Sequence, residues 1–145
     1  MTSVRGILAF SLGVVVGSAV NMGLVVVGPN IVPPPEGVDM ADLESIRSAI
    51  DRFEAKHFVF PFLAHALGTF AGALAAYLIA AAGRGLFAIA IGLFFLAGGI
   101  AASTMIPAPA WFIALDLAVA YLPMALLAAL VGQLLVRPAA AKPAG

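Results

Sequence analysis

The sequence predicts an all-α integral membrane protein: an antiparallel four-transmembrane-helix bundle with a short extramembrane amphipathic helix between spans 1 and 2. Three observations lead there. Apolar residues make up 63% of the 145-residue chain and charged residues 10%, against about 45–50% and about 25% in soluble domains. The apolar residues gather into four runs, residues 4–28, 58–82, 86–106 and 110–136, each near the ~20 residues that cross a bilayer. Lys and Arg outside the long connection lie at alternate ends of these runs, as the positive-inside rule requires. In lipid a backbone must satisfy its own polar groups, so runs of this length are read as helices. Residues 1–137 are expected to form a single membrane domain, and residues 138–145, "PAAAKPAG", a disordered cytoplasmic tail.

Span 1 begins after Arg5. The small residues at 17–19 invite comparison with a secretory signal peptide, whose apolar core runs about 7–15 residues. Here the apolar character continues through "LVVV" to Gly28, so a retained first helix is expected. Gly13, Gly17 and Asn21 recur every four residues and define a small-residue face.

The connection at 29–57 has two parts. "GPNIVPPPEG" is expected to be non-helical, because Pro29, Pro33, Pro34 and Pro35 remove donors and favour extended geometry. "VDMADLESIRSAIDRFEAKHF" reads as an amphipathic helix, with Asp39 as N-cap and Leu43, Ile46, Ile50 and Phe53 on one face. Asp42 and Glu44 near its start and Arg52 and Lys56 near its end suit the helix dipole. Such a helix is expected to lie at the membrane interface or to cap the mouth of the bundle.

Span 2 carries two faces. Leu63, Leu67, Phe70, Leu74 and Leu78 form a bulky stripe expected to meet lipid. His65, Gly68, Thr69, Gly72 and Ala76 lie opposite. Gly68 and Gly72 make a small-xxx-small pair that lets helices approach closely, and His65 therefore points into the bundle. "AAGRG" then turns the chain into span 3, where Gly92, Gly99 and Ser103 share a face. "IPAPAW" leads to span 4, with Trp111 and Phe112 at the expected headgroup level. Span 4 contains Asp116 and, seven residues on, Pro123, which is expected to kink it.

Charge fixes an expected orientation. Arg5, Arg84, Arg137 and Lys142 fall on one side with no carboxylate, while residues 29–57 hold three basic and six acidic residues. The positive-inside rule puts both termini and Arg84 in the cytoplasm and the long connection in the periplasm or exterior.

Depth brings the polar residues together. Asn21, His65 and Asp116 are each about seven residues from the outer end of their span, so all lie about 10 Å below the outer boundary. Ser103 is shallower and Thr69 one turn deeper. These five are the candidates for a polar layer, the inner half having only Tyr77 and Gln133. A membrane Asp costs about 2.5–3.5 kcal/mol at a helix centre and takes a partner. His65 is the basic side chain available inside a span, so a His65–Asp116 contact is expected.

Several chemistries are excluded or disfavoured. Without cysteine there are no disulfides, thiolate metal sites or cysteine nucleophiles. No phosphate loop, Gly-x-Ser-x-Gly or His-Glu-x-x-His appears, and Ser11, Ser18 and Ser103 have no nucleophile context, so no enzyme activity is expected. Glu54 and His57 have the Glu-x-x-His spacing of di-iron bundles but lack the second motif and the inward Glu residues. No metal or cofactor is expected, and nothing points to nucleic acid.

The stretches "GPNIVPPPEGVD", "KHFVFPFLAHALGT" and "MIPAPAWFIALDL" resemble segments of a group of small uncharacterised bacterial four-span membrane proteins. The resemblance covers most of the chain, implies a bacterial inner-membrane location and carries no activity. The favoured expectation is a non-enzymatic accessory or structural subunit packing against other membrane helices, in a homo-oligomer or larger complex. The alternative is a small oligomeric transporter or channel-like protein using the His/Asp layer for proton or small-solute coupling.

Overall fold

The structure, a computed structural model, describes residues 2–136, with side chains from Val4 onward; Arg137 and the tail at 138–145 lie outside the described residues. The chain folds into α1 (Thr2–Ile31), α2 (Leu43–Ala49), α3 (Val59–Ile79), α4 (Arg84–Met105), α5 (Ala110–Val119) and α6 (Leu122–Leu135). Tight 3-10 turns occupy Ile50–Arg52 and Ala55–Phe58. Four segments are long and apolar enough to cross a membrane: Val4–Ile31, Ala55–Ile79, Arg84–Met105 and Ala110–Leu135. The last of these consists of α5 and α6 in succession.

Helix α3 sits at the centre, touching α1, α4 and α6. Its contact with α1 is backbone against backbone. A Cβ added to Gly13 would lie 2.8 Å from the Gly72 carbonyl oxygen, and one on Gly72 would lie 2.5 Å from that of Gly13. Gly17 and Gly68 repeat the arrangement one turn along, at 2.8 and 2.9 Å. Contacts between real Cβ atoms do not come this close, so only glycine permits the approach. Further along, Gly28 meets Phe60, so the pairs run in opposite order on the two helices.

Small residues fill the rest of the core. Ala73, Ala76, Ala88, Ile91, Ala125 and Ala128 are fully buried together, and Gly92 faces the Ala125 methyl. The expected lipid stripe of span 2 is only partly exposed. Leu67 and Leu78 face outward, but Phe70 and Leu74 pack against this core, because α3 has neighbours on several sides.

Helix boundaries depart from expectation at the prolines. Helix α1 continues through Pro29 to Ile31. The residue before a proline is normally forced out of the α region by a clash involving its Cβ, and here that residue is Gly28, which has none. The Asn30 side chain donates to the Val26 carbonyl at 3.1 Å within this last turn. Pro33 then ends the helix in the usual way. In span 4, Pro123 does more than kink the helix: the chain breaks between Val119 and Leu122 and restarts with Pro123 in the first turn of α6.

The helix between the first two long apolar segments is shorter than its sequence suggests. Helix α2 covers only Leu43–Ala49, and its N-cap is Asp42, whose carboxylate accepts from the Glu44 N–H at 3.0 Å. Asp39 instead closes the preceding turn, accepting from the Ala41 N–H at 2.8 Å. After α2 the chain must turn into the long apolar segment Ala55–Ile79 within a few residues. Phe53 takes extended backbone angles, and its ring packs near His57 and Phe58 at the mouth of the bundle. Tertiary packing overrides helix propensity there.

The two ends of the molecule differ. At one end Gly83, with φ of 61°, allows the tight turn into α4. There Arg5 Nε donates to the Ile79 carbonyl at 2.8 Å and Arg84 Nε to that of Ala80 at 3.0 Å. Both guanidiniums sit where α3 leaves carbonyls unpaired and its dipole is negative. At the other end, called here the loop end, Arg47 Nη2 donates to the Met105 carbonyl at 2.7 Å and ties α2 to α4.

The glycine contact gives a direct test. Gly72→Leu places atoms in the space held by the Gly13 carbonyl and is expected to destabilise the fold by at least about 1–3 kcal/mol, measured by unfolding in detergent micelles. Gly23→Ala has open space around it and should be neutral or stabilising by up to about 1 kcal/mol.

Candidate functional site

Asp116 lies within α5 and is 5% exposed. Its carboxylate gathers three short contacts. His65 Nδ1 stands 2.9 Å from each of its oxygens, and the Tyr121 hydroxyl donates to Oδ2 at 2.9 Å. The His65 and Tyr121 rings stack with centroids 5.7 Å apart and planes 29° apart. His65 Nδ1 and the Tyr121 hydroxyl thus share one carboxyl group. This leaves Nε2 as the ring's remaining polar atom.

The local fold explains how three residues from two spans converge. His65 stands on α3 one turn before Thr69. On a continuous helix Tyr121, five positions after Asp116, would point about 140° away from it. The break caused by Pro123 turns Tyr121 back, with φ of −115° and ψ of −83°. Its ring is 2% exposed and occupies the space beside Gly99, where any Cβ would collide with the Tyr121 hydroxyl and ring.

Two cavities meet at this cluster. A mostly apolar one with some polar lining, of about 260 Å3 and called here the polar cavity, is lined by Ser18, Asn21, His65, Thr69, Phe95 and Tyr121, among others. An apolar one of about 290 Å3 lies beneath α2, lined by Ile46, Ile50, Phe53, Phe58 and Phe112, and reaches His65 and Asp116. His65, Gly99 and Ala102 belong to the walls of both. Thr69 is 1% exposed, and its hydroxyl has no hydrogen-bond partner among the described residues. That is unusual in a helix, where the carbonyl one turn back is within reach.

The expected polar layer is thus assembled unevenly. His65 and Asp116 touch directly. Asn21 and Thr69 line the polar cavity. Ser103 bonds within its own helix, its hydroxyl donating to the Ile100 carbonyl at 2.7 Å, and it lines the apolar cavity that His65 and Asp116 also reach. Tyr121 was missed in the sequence because a straight span 4 puts it on the wrong face. The signal that reveals it is Pro123 two residues later.

Glu54 and His57 are engaged with each other. The Glu54 N–H donates to His57 Nδ1 at 2.8 Å, and the pair forms a reciprocal cap on the turn entering α3. Lys56 bonds the Glu54 carboxylate at 2.9 Å and holds its carboxyl below the usual range. Among the described residues no group of three His, Cys, Asp or Glu side chains could hold a metal ion. Compared with protein-family models, curated proteins and solved structures, the chain matches none.

Two substitutions probe the cluster through stability. Tyr121→Phe removes a donor from a buried carboxylate and is expected to cost about 1–3 kcal/mol. Thr69→Val removes a hydroxyl that has no partner in a buried wall, and its unfolding midpoint in detergent should stay level or rise.

Proposed function

We propose that this chain is a non-enzymatic multi-pass protein of a bacterial inner membrane, an antiparallel four-helix bundle whose layer around His65 and Asp116 binds a small ligand. The observation that carries the reading is the half-buried imidazole of His65, held at 2.9 Å by Asp116 and standing in the walls of both cavities. Polar groups that only hold helices together pair with one another and leave no room. A cavity lined by Asn21 and a half-buried imidazole has the form of a binding site.

The clustering of Arg5 and Arg84 at one end, opposite the acidic connection, supports placing that end in the cytoplasm. The cavities then open from the outer leaflet, with α2 as an amphipathic helix lying over the apolar one. The accessory-subunit role, the favoured expectation from the sequence, draws less support from the glycine faces, since Gly13, Gly17, Gly68, Gly72, Gly92 and Gly99 all face neighbours within the chain.

Diethylpyrocarbonate, an imidazole-modifying reagent, separates the readings. In vesicles it should modify His65 as well as the half-buried His57, with mass spectrometry resolving the two sites. Modification of His57 alone would leave a closed layer that only holds the helices, as in an accessory subunit. Orientation is checked with single cysteines in a chain that has none. Ser48→Cys should label from outside intact cells and Gly85→Cys only after permeabilisation.

A further inference from the structure

The apolar cavity beneath α2 is elongated along α4. Gly99, Ala102, Ser103 and Ile106 follow one another down its wall, a run of about 10 Å at the helical rise. Ile46 and Ile50 of α2 roof it. Its volume of about 290 Å3 stands at the lower edge of the ~300–1,000 Å3 usual for small-ligand pockets. Apolar cavities of about 150 Å3 already stay dry and take up apolar molecules. The space has the size and chemistry of a slot for one hydrocarbon chain.

The surroundings identify where the chain comes from. Val25 of α1 and Ile106 beyond the end of α4 belong to the wall, and both are exposed. The wall therefore reaches the outer surface of long apolar helices, where the medium in a membrane is lipid. No Lys or Arg among the described residues lines the cavity, and its carboxylate, Asp116, is already held by His65 and Tyr121. A charged head would be buried there without a partner, so the head stays outside.

That head has a place at the rim. Arg47 follows Ile46 in α2, and its Nη2 donates to the Met105 carbonyl, next to Ile106. The guanidinium thus stands at the end of α4, where a spanning helix meets the headgroups. Glu44 lies 4.0 Å from it, and the two side chains are 80% and 45% exposed for Glu44 and Arg47. So open a pair contributes little by itself. It leaves guanidinium N–H groups for a phosphate and a carboxylate beside them for an ammonium.

We propose that this site holds a zwitterionic glycerophospholipid: the phosphate at Arg47, the ammonium at Glu44 and one acyl tail beneath α2. This inference rests on the ligand-binding reading above and names the ligand as a lipid whose tail reaches toward His65.

The test uses the full chain in phosphatidylcholine vesicles doped with a phosphatidylcholine that carries a diazirine midway along one acyl chain. After irradiation, mass spectrometry maps the adducts. They are expected on the inner residues Ile50, Phe58 and Phe112, as well as on the outward-facing Leu127 and Leu130. Ser103→Leu and, separately, Ala108→Leu add bulk to the cavity wall. Each should reduce the inner adducts at least about tenfold, since a filled cavity leaves no room for a tail, with the outer adducts unchanged. Arg47→Gln should lower the inner adducts about threefold, the worth of an exposed charge contact, and Arg47→Lys should retain them. A diacylglycerol, a phosphatidylglycerol or a free fatty acid with the same label should give fewer inner adducts than the phosphatidylcholine. Adducts confined to outward-facing residues, or inner adducts unchanged in both filled variants, would overturn the proposal. Equal inner labelling by any of the three other lipids would do so too. If no inner adduct forms but His65 reacts with diethylpyrocarbonate, the lipid is wrong and the ligand-binding reading stands. If no inner adduct forms and His65 never reacts, both fall.

Discussion

At Gly13, Gly17, Gly68 and Gly72 two helix backbones touch with no side chain between them. In a bilayer, hydrophobic burial gives helices little reason to associate, and close packing takes its place. The α1–α3 contact is the tightest of this kind in the chain, and the placement of α3 depends on it. With α1 on one side, α3 meets α4 and α6 on the others. It thereby carries His65 and Thr69 into the interior at the depth of Asp116. A bulkier residue at any of the four glycines would move α3, and the cluster around Asp116 with it.

The buried carboxylate imposes the second constraint. An aspartate at this depth needs partners on more than one side, and a straight helix could not supply them all from its own chain. The interruption at Ala120 and Tyr121 resolves this. It costs hydrogen bonds of a continuous span, yet it swings the Tyr121 hydroxyl to within 2.9 Å of Asp116. Pro123 makes the interruption inexpensive, because its ring already prevents a regular turn at Val119. Gly99 on the neighbouring helix leaves the space into which the tyrosine ring turns. Three residues of unrelated type, in two spans, thus serve a single carboxylate.

The legible features were those governed by helix period and by the cost of polar groups in lipid. Gly13, Gly17, Gly68 and Gly72 declared a packing face through their spacing, and His65 and Asp116 could be paired because each needed a partner at a similar depth. What escaped were features decided by local departures from the regular helix. Tyr121 could not be placed while span 4 was treated as continuous. Pro29 looked like a terminator because the missing Cβ of Gly28 was not weighed. Helix α2 ended early although "IDRFEAKHF" contains no helix breaker, since its path is set by the bundle mouth. The unpaired state of Thr69 was equally out of reach, as it depends on which neighbours surround the hydroxyl. Nothing in the sequence separated Ser103, which bonds within its own helix, from the residues that share the polar cavity.

The chain has a single tryptophan, and its position has an optical consequence. Trp111 is 50% exposed at the loop end, with its ring set edge-on to Phe58 and Phe112 at 5.7 and 5.8 Å. Both phenylalanines line the apolar cavity beneath α2. All tryptophan fluorescence therefore originates against two side chains of that cavity's wall, with no second indole to dilute the signal. The native protein carries its own emission probe behind the wall, and its colour and quenching report how the packing of Phe58 and Phe112 changes.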